Sequence, residues 1–460
     1  MENGMKTVIT YGTFDLFHEG HYKLLERAKA LGDYLIVGVT TEQYDETRGK
    51  LNLVDSLSER IHNVSSCGFA DEVIVEDHIG QKVEDIIKYK VDVFTVGSDW
   101  VGKFDYLRDY CEVVYLPRTE NVSSSLLRTN GHSIIRLGII GTGRIASRFI
   151  NEVRYVNGIE ITGIYNPHLD SAANFAQRFG FPFYTDNFDA LMDCVDAVYI
   201  ASPHGTHYEY AKKALVAKKH VLAEKPMVFS KEKAVELYAL AKQNRCVLLE
   251  AVKTAYCPGF NQLLGVARSG VIGSIRDIEA AFTRLIQPGR REWDDAVFGG
   301  GFTEYGTYVL LPIIKLLGKD FEDVQFSSIL AENGIDIYTK VSLRYKKGMA
   351  LGKTGVGVKT EGQLVIAGTN GYILAHSPWW LTKEFEVHYE DPNKVDRYTA
   401  SYLGEGFRYE LSEFVYLING YGDRSYKLTA GESTAIADVF GRFMSQRKAY
   451  VERMQEDQDH

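Results

Sequence analysis

No stretch of the 460 residues approaches the roughly 18 consecutive apolar residues that span a bilayer, so no transmembrane helix is expected. The opening residues, Met1-Glu2-Asn3-Gly4-Met5-Lys6, lack the basic and apolar regions of a secretory leader. Cysteine is sparse. The five present, Cys67, Cys111, Cys194, Cys246 and Cys257, are odd in number and form no Cys-x-x-Cys pair. They read as reduced, structural thiols in a cytoplasmic protein. Positive charge is also short: 52 Lys and Arg face 61 Asp and Glu, a net charge of −9. That balance argues against a general binder of nucleic acid or of membrane surfaces. Internal repeats and low-complexity tracts are absent as well.

What is present is ordinary globular chemistry, 45% hydrophobic and 25% charged residues. The length suits about three units of roughly 100–200 residues each. The expected fold class is α/β: a Rossmann-like unit over 1–130, a dinucleotide-binding Rossmann unit over 134–253, and an α+β unit over 254–445 with a mainly antiparallel open sheet. A final helix near 430–454 is expected to pack back on that sheet or on the dinucleotide-binding unit.

Thr7-Val8-Ile9-Thr10-Tyr11 is an apolar run stopped by Gly12 and reads as a strand. Gly12-Thr13-Phe14-Asp15-Leu16-Phe17-His18-Glu19-Gly20-His21 follows, and an amphipathic helix is expected over 22–31. Further strands are expected at 34–39, 73–74 and 91–96, with a helix at 84–90. This alternation predicts a parallel sheet with crossover helices. Ligands of such sheets bind at the carboxyl ends of the strands. His18-Glu19-Gly20-His21 falls at one such end, just before a helix N-terminus, where backbone N–H groups and the helix dipole favour phosphate. Two imidazoles there can donate to a triphosphate and stabilise charge as pyrophosphate leaves. A histidine pair that merely caps the helix is the bland alternative.

Four more pieces belong to the pattern. They are Lys23-Leu24-Leu25-Glu26-Arg27-Ala28-Lys29; Asp71-Glu72-Val73-Ile74; Val96-Gly97-Ser98-Asp99-Trp100 with Gly102-Lys103-Phe104-Asp105; and Val114-Tyr115-Leu116-Pro117-Arg118-Thr119-Glu120 into Val122-Ser123-Ser124-Ser125. With the first motif they make residues 6–128 resemble the glycerol-3-phosphate cytidylyltransferases, within the His-x-Gly-His nucleotidyltransferases. The resemblance implies that CTP is joined to a sugar or polyol phosphate, with release of pyrophosphate. It implies His18 and His21 on the triphosphate, with Arg118, Ser123 and Ser124 closing on it. Gly12, Thr13, Phe14, Asp99 and Thr119 fall in the same implied site, and Lys23 and Lys50 are further phosphate contacts. Such chemistry is mostly positioning and needs no covalent protein nucleophile. Mg²⁺ is implied by the triphosphate, held mainly by phosphate and water and by no dedicated protein site.

After a short polar linker, 129–133, Ile134-Ile135-Arg136-Leu137-Gly138-Ile139-Ile140 reads as a buried strand. Gly141-Thr142-Gly143-Arg144-Ile145-Ala146 then opens a helix. In that context Gly-x-Gly-x-x-Ala is a dinucleotide fingerprint: a tight turn, close approach to pyrophosphate and close helix packing. The next strand, 160–165, ends at Asn166, where an acidic residue would grip the ribose of NAD. The neutral Asn166 favours NADP(H) over NAD(H). Asp196-Ala197-Val198-Tyr199-Ile200-Ala201 ends in Ser202-Pro203-His204-Gly205-Thr206-His207, and a later strand ends in Glu224-Lys225-Pro226. These strand ends are expected to line the cofactor site.

Glu224-Lys225-Pro226 after a strand makes residues 134–445 resemble the Gfo/Idh/MocA oxidoreductases. The resemblance places Lys225 beside the nicotinamide and the reacting carbonyl. Amphipathic strands at 275–282, 324–331, 336–345 and 363–367 suggest the antiparallel sheet. Among them lies Phe298-Gly299-Gly300-Gly301-Phe302-Thr303-Glu304-Tyr305-Gly306-Thr307-Tyr308. Glu304 fills a slot that is usually Asp in the family, and Tyr308 one that is usually His or Tyr. Tyr308 is expected to be the general acid, with Lys225 lowering its pKa and polarising the carbonyl; the two roles could be exchanged. Arg284, Arg290, Arg291 and Trp293 suggest an anionic substrate, because guanidinium binds phosphate bidentately. Lys253 and Tyr256 are expected to border the pocket.

Together the halves suggest a bifunctional enzyme making a CDP-alditol for a surface polymer, with a ketose reduced either before or after cytidylyl transfer. A chain whose oxidoreductase half binds dinucleotide without turnover is the alternative. A homo-oligomer, dimer or tetramer, is expected, since Gfo/Idh/MocA-like proteins commonly pair through the open sheet.

Overall fold

The computed structural model describes residues 5–15, 17, 19–47, 53, 55–117, 134–420 and 424–458. The chain divides into two compact units, one of residues 1–135 with 153–160, the other of residues 136–152 with 161–460. All five cysteines are free. Among the described residues no helix is long and apolar enough to cross a membrane.

The first unit is built on β1 (Thr7–Gly12), β2 (Tyr34–Thr40), β3 (Glu72–Glu76), β4 (Val93–Gly97) and β5 (Glu112–Leu116). They form one parallel sheet in the order β3-β2-β1-β4-β5. Both faces are covered, so adjacent residues of one strand enter different cores. Val8, Leu35 and Val37 join one cluster, and Ile9, Ile36 and Phe94 the other. This is why these strands read as unbroken apolar runs and not as alternating ones. The strand order reverses at β1, which opens a crevice beyond its carboxyl end. The helix after β1 spans Glu19–Lys29 and starts earlier than expected, so Gly20 and His21 lie in its first turn.

The second unit holds two sheets. The first contains β6 (Ile135–Ile140), β7 (Ile159–Tyr165), β8 (Tyr184–Thr185), β9 (Ala197–Ile200), β10 (His220–Glu224) and β11 (Leu248–Ala251), in the order β11-β10-β9-β6-β7-β8. The order again reverses at the strand carrying the glycine turn, β6.

The second has eight strands: β12 (Ile275–Thr283), β13 (Asp323–Leu330), β14 (Asp336–Tyr345), β15 (Gly348–Gly355), β16 (Leu364–Gly368), β17 (Gly371–Ala375), β18 (Glu384–Tyr389) and β19 (Val395–Thr399). Their order is β13-β14-β15-β12-β16-β17-β18-β19. Pairing is antiparallel except between β12 and β15. That exception has a topological cause: the helix Gly301–Leu317 separates the two strands in sequence, and such a crossover allows parallel pairing. This helix is buried from Gly301 to Lys315, against the sheet on one side and the final helix on the other. The final helix, Ala430–Gln458, packs against it and against the helix Lys231–Asn244. Phe440 marks the junction, its ring 5.1 Å from Phe302 and 5.5 Å from Phe229.

Candidate active sites

In the first unit the described residues 13–15, 17 and 19–21 of the motif follow directly on β1. Gly12 is required by packing: a β-carbon there would sit 2.9 Å from the Phe14 ring. Phe14 itself is buried and holds a left-handed φ of +53°. That conformation costs a bulky residue energy and turns the chain sharply towards the helix. The Thr13 hydroxyl is committed inward, donating to Asp45 at 3.1 Å. The Asp15 carboxylate accepts from the Asp55 N–H at 2.8 Å. The His21 ring leans against Phe14 and Phe17, with centroids 5.4 and 5.6 Å away. Lys23 pairs with Glu26 at 2.9 Å. His18, Lys50, Arg118, Thr119, Ser123 and Ser124 lie outside the described residues, as does the side chain of Asp99.

A further residue organises this region and was not foreseen. Arg60, in the helix Leu57–Ser66, is completely buried. Its guanidinium donates to the carbonyls of Thr13 at 3.0 Å, Thr40 at 2.7 Å and Asp55 at 3.1 Å. It also pairs with Glu42 at 3.2 Å and Asp45 at 3.9 Å. One planar, five-donor group thus ties the ends of β1 and β2 together, which the ammonium of lysine could not do.

The second unit contains a cavity of about 790 Å³ at the carboxyl ends of β6, β7, β9 and β10. Gly141, Thr142, Gly143, Arg144, Ile145 and Asn166 line it, as do Ser202, His204, His207, Glu224 and Lys225. Gly141 has φ +103°, and a β-carbon there would stand 2.6 Å from the Ala201 carbonyl oxygen. The turn is therefore open only to glycine, and it leads into the N-terminus of the helix Arg144–Val153. The residue that follows β7 is the neutral Asn166, whose amide donates to the Thr142 hydroxyl at 2.8 Å. His207 is buried, with its ring nitrogens 2.9 Å from the Pro226 carbonyl and 2.8 Å from that of Ser202. It ties the ends of β9 and β10 to each other. Pro226 itself does not line the cavity.

Lys253, Arg284, Arg290, Arg291, Glu304 and Tyr308 line the same cavity. Lys225 donates to the Glu304 carbonyl at 3.0 Å, and its ammonium is 5.4 Å from the Tyr308 ring centroid. Arg291 donates to the Glu304 carboxylate at 2.5 Å, and His204 lies 3.8 Å from the same oxygen. Burial first, then the nearby His207, Lys225 and Arg291 charges, holds the His204 imidazole well below its ordinary pKa. Arg284 and Arg290 have no ion-pair partner among the described residues.

Three expectations are corrected here. Lys225 was expected to lower the pKa of Tyr308. Instead burial, followed by the Glu224 and Glu410 carboxylates, pushes that phenol up, because a phenolate there would face low polarity and negative charge. Trp293 is not in the cavity lining; its main chain is tied to Arg290 and Asn333. Tyr256 is not in the cavity lining either; it is buried, its hydroxyl donating to the Glu250 carbonyl at 3.0 Å. Conversely, Arg148, Phe282, Trp380 and Glu410 line the cavity without having been singled out. Phe282 and Trp380 stack with centroids 3.6 Å apart, making a flat apolar wall.

Two stretches of the chain match different families of known proteins. Residues 9–130 match a family described as cytidylyltransferase-like, and residues 135–252 match the Gfo/Idh/MocA oxidoreductase family with its NAD-binding Rossmann fold. Glycerol-3-phosphate cytidylyltransferase of Bacillus spizizenii is 49% identical over 130 residues, covering 28% of this chain and 100% of that protein. The NADP⁺-dependent scyllo-inositol 2-dehydrogenase of Bacillus subtilis is 28% identical over 314 residues, 65% of this chain and 92% of its own. A solved structure of KijD10, a 3-ketoreductase from Actinomadura kijaniata in complex with TDP-benzene and NADP, superposes with a TM-score of 0.57 at 26% identity. It covers 66% of this chain and 95% of that one. The chain is thus a fusion of a cytidylyltransferase-like domain, belonging with the glycerol-3-phosphate cytidylyltransferases, and a Gfo/Idh/MocA oxidoreductase domain.

Proposed function

We propose that this protein makes a CDP-alditol by two reactions, for use in a surface polysaccharide or a teichoic-acid-like polymer. Its domains are then 1–130 for cytidylyl transfer, 134–253 for the dinucleotide and 254–445 for the reducible substrate. In the first reaction a sugar or polyol phosphate attacks the α-phosphate of CTP and pyrophosphate leaves. His18 and His21 stabilise the departing charge, with Arg118, Thr119, Ser123, Ser124, Lys23 and Lys50 around the phosphates. Mg²⁺ travels with the triphosphate; among the described residues no group of three or more His, Cys, Asp or Glu could hold a metal.

In the second reaction the ketose moiety, as ketose phosphate or CDP-ketose, is reduced. The open turn at Gly141 and the helix N-terminus behind it suit a dinucleotide pyrophosphate. The neutral end of β7 suits NADP(H) better than NAD(H). The nicotinamide supplies the hydride when bound. Lys225, fixed by the Glu304 carbonyl, polarises the ketone. Tyr308 keeps its proton until an alkoxide, a stronger base than phenolate, develops beside it. Arg284 and Arg290 take the substrate phosphate. A dimer or tetramer through the outer face of the eight-stranded sheet fits the exposure of Ile329 and Met349 there.

The observation that carries this reading is the meeting of Lys225 and Tyr308 in a cavity continuous with the glycine turn. The test is pyrophosphate release from CTP and Mg²⁺, alongside NADPH oxidation, with ketose and alditol phosphates of three, five and six carbons. Release with a ketose phosphate before any NADPH is added would mean that the CDP-ketose is reduced. Release with an alditol phosphate alone would mean that reduction comes first. NADPH binding without oxidation in every arm would reject the second reaction.

A further inference from the structure

Beyond Thr283 the chain of β12 stays extended and forms part of the cavity wall. The Arg284 N–H donates to the Gly355 carbonyl at 3.0 Å and the Ile286 N–H to that of Val356 at 2.8 Å, so pairing with the end of β15 runs on. Side chains of extended backbone alternate between two faces. Phe282, Arg284 and Ile286 accordingly line the cavity, while Thr283 and Leu285 do not. Arg284 thus stands two residues beyond an aromatic ring on the same face. Among the described residues it has no ion-pair partner.

That ring is the middle of a stack. Phe282 lies 4.4 Å from Tyr305 at 19°, and 3.6 Å from Trp380 at 6°. Two near-parallel rings this close can only cover opposite faces of Phe282, so Trp380, half-buried, is the outer member. Its position is fixed from both sides. The Trp380 carbonyl accepts from the Thr254 hydroxyl at 2.7 Å, and the indole of the adjoining Trp379 donates to the Ala281 carbonyl at 2.9 Å. The cavity therefore has a rigid, flat aromatic plate beside a free guanidinium. Tyr308 lies 5.0 Å from Phe282, so Trp380 is set off from the phenol by one ring. A ketose phosphate has an anion for Arg284 but no flat π face for Trp380. A nucleoside diphosphate has both, and its ribose and diphosphate hold the base away from the sugar that it carries. On the reading above the nicotinamide lies beside Lys225 and the adenosine at the end of β7, so neither ring of the dinucleotide claims Trp380.

We propose that the ketose is reduced as its CDP ester, with the cytosine stacked on Trp380 and the diphosphate held by Arg284 and Arg290. This rests on the two-reaction reading above and selects one of its two ketose forms: cytidylyl transfer comes first. Stacking on an aromatic side chain accepts any base, so the plate supplies affinity for a nucleotide and the first reaction supplies the cytidine.

The test uses the full chain. CTP, Mg²⁺ and ketose phosphates of three, five and six carbons, without NADPH, give the CDP-ketose, which is purified and offered to each protein with NADPH. Wild type should oxidise NADPH with a kcat/KM at least about 100-fold higher for the CDP-ketose than for the parent ketose phosphate. W380A should raise KM for the CDP-ketose about 10- to 100-fold, the worth of one base stack, and W380F should recover most of that loss. In W380A the KM for NADPH and the rate of pyrophosphate release from CTP should stay within about twofold of wild type, as they would not in a protein that had merely lost its fold. One arm needs no variant and stands even where W380A does not fold. On wild type, CDP should compete with the CDP-ketose at least about tenfold better than inorganic pyrophosphate, which lacks the base. Equal kcat/KM for both ketose forms, a W380A KM for the CDP-ketose equal to that of wild type, a rise in KM for NADPH in its place, or equal inhibition by CDP and pyrophosphate would each overturn the inference and leave reduction standing. Cytidylyl transfer confined to alditol phosphates would do the same. Absence of NADPH oxidation with every ketose form would instead sink the reductase reading, and this inference with it.

Discussion

The Lys225 ammonium is held by the main-chain carbonyl of Glu304 at 3.0 Å, while the carboxylate of the same residue holds Arg291 at 2.5 Å. The carboxylate also stands 4.0 Å from the Lys225 ammonium, so one residue of the helix Gly301–Leu317 places two cations, Lys225 chiefly through its carbonyl and Arg291 through its side chain. The consequence is separable by mutation. Glu304→Gln keeps the carbonyl that holds Lys225 and gives up only the longer 4.0 Å ion pair there, but weakens the hold on Arg291. We expect KM for the ketose to rise about tenfold with kcat nearly unchanged, the loss of one charged hydrogen bond. Lys225→Met removes the polarising group, and kcat for NADPH oxidation should fall about 10²–10⁴-fold. Pyrophosphate release should survive both substitutions. Parallel kinetics of the two half-reactions check this, and equal loss of both activities would contradict it.

Among the described residues Arg284 and Arg290 stand in the cavity without ion-pair partners, so their charge is available to a ligand. A guanidinium–phosphate contact is worth about 1.5–3 kcal/mol. Arg284→Ala or Arg290→Ala should therefore raise KM for the anionic ketose about 10- to 100-fold. The KM for NADPH should hardly move. Added salt should weaken binding in wild type more than in either variant, since screening acts on the contact that the variants lack. Equal salt dependence in all three proteins would rule out a phosphate role.

Much of this was legible in the sequence, for a physical reason. Parallel strands buried on both faces are continuous apolar runs, and a β-carbon on Gly12 or Gly141 would meet the Phe14 ring or the Ala201 carbonyl. The motif residues Gly141, Lys225 and Tyr308 accordingly do share one cavity. The outer strands β18 and β19 were not legible, because they are short and carry Glu384, Glu386, Asp396 and Arg397, which read as loop. The parallel pairing of β12 with β15 depends on a crossover that periodicity does not encode. Arg60 and Glu410 escaped because a charge in an amphipathic helix is read as facing solvent. The available signal was their helical spacing: Arg60 shares a face with buried Val64, and Glu410 one with Phe414 and Leu417.

The helix that carries Glu304 and Tyr308 is itself anchored by a titrating group. Asp336 is wholly buried and accepts from the Phe302 N–H at 2.7 Å and the Thr339 hydroxyl at 2.8 Å. Burial raises its pKa from 3.8 to about 6, against those hydrogen bonds and Arg447. The folded state therefore binds this proton more tightly than the unfolded state. The stabilising contribution is complete below the unfolded pKa and is lost as pH rises through about 6. The loss is on the order of 3 kcal/mol over that window. In Asp336→Asn that slope should disappear, so the variant gains on wild type between pH 4 and 6. Denaturant unfolding of both proteins across pH 4–7 measures it, and a stability difference that stays constant with pH would refute it.

Arg60 gives the sharpest test of the first unit. Its guanidinium satisfies three carbonyls and faces two carboxylates with no exposure to water. Arg60→Ala takes a donor from the three carbonyls and leaves Asp45, itself fully buried, with less compensation for its charge, while the half-exposed Glu42 can turn to water. Breaking a buried charged network in this way costs about 3–5 kcal/mol. Arg60→Lys restores the charge but not the fork, so it should recover only part of that loss. The functional effect follows from what is tied: Thr13 directly follows the strand that feeds the nucleotide motif, and Thr40 ends its neighbour. We expect pyrophosphate release to fall in both variants, more in Arg60→Ala, with KM for CTP rising as the motif loses its anchor. NADPH oxidation, measured with whichever ketose form the wild type reduces, should keep its wild-type kcat. Thermal unfolding followed beside both activities separates the cases. A variant with unchanged stability and unchanged KM for CTP would mean that Arg60 does not set the geometry of the motif.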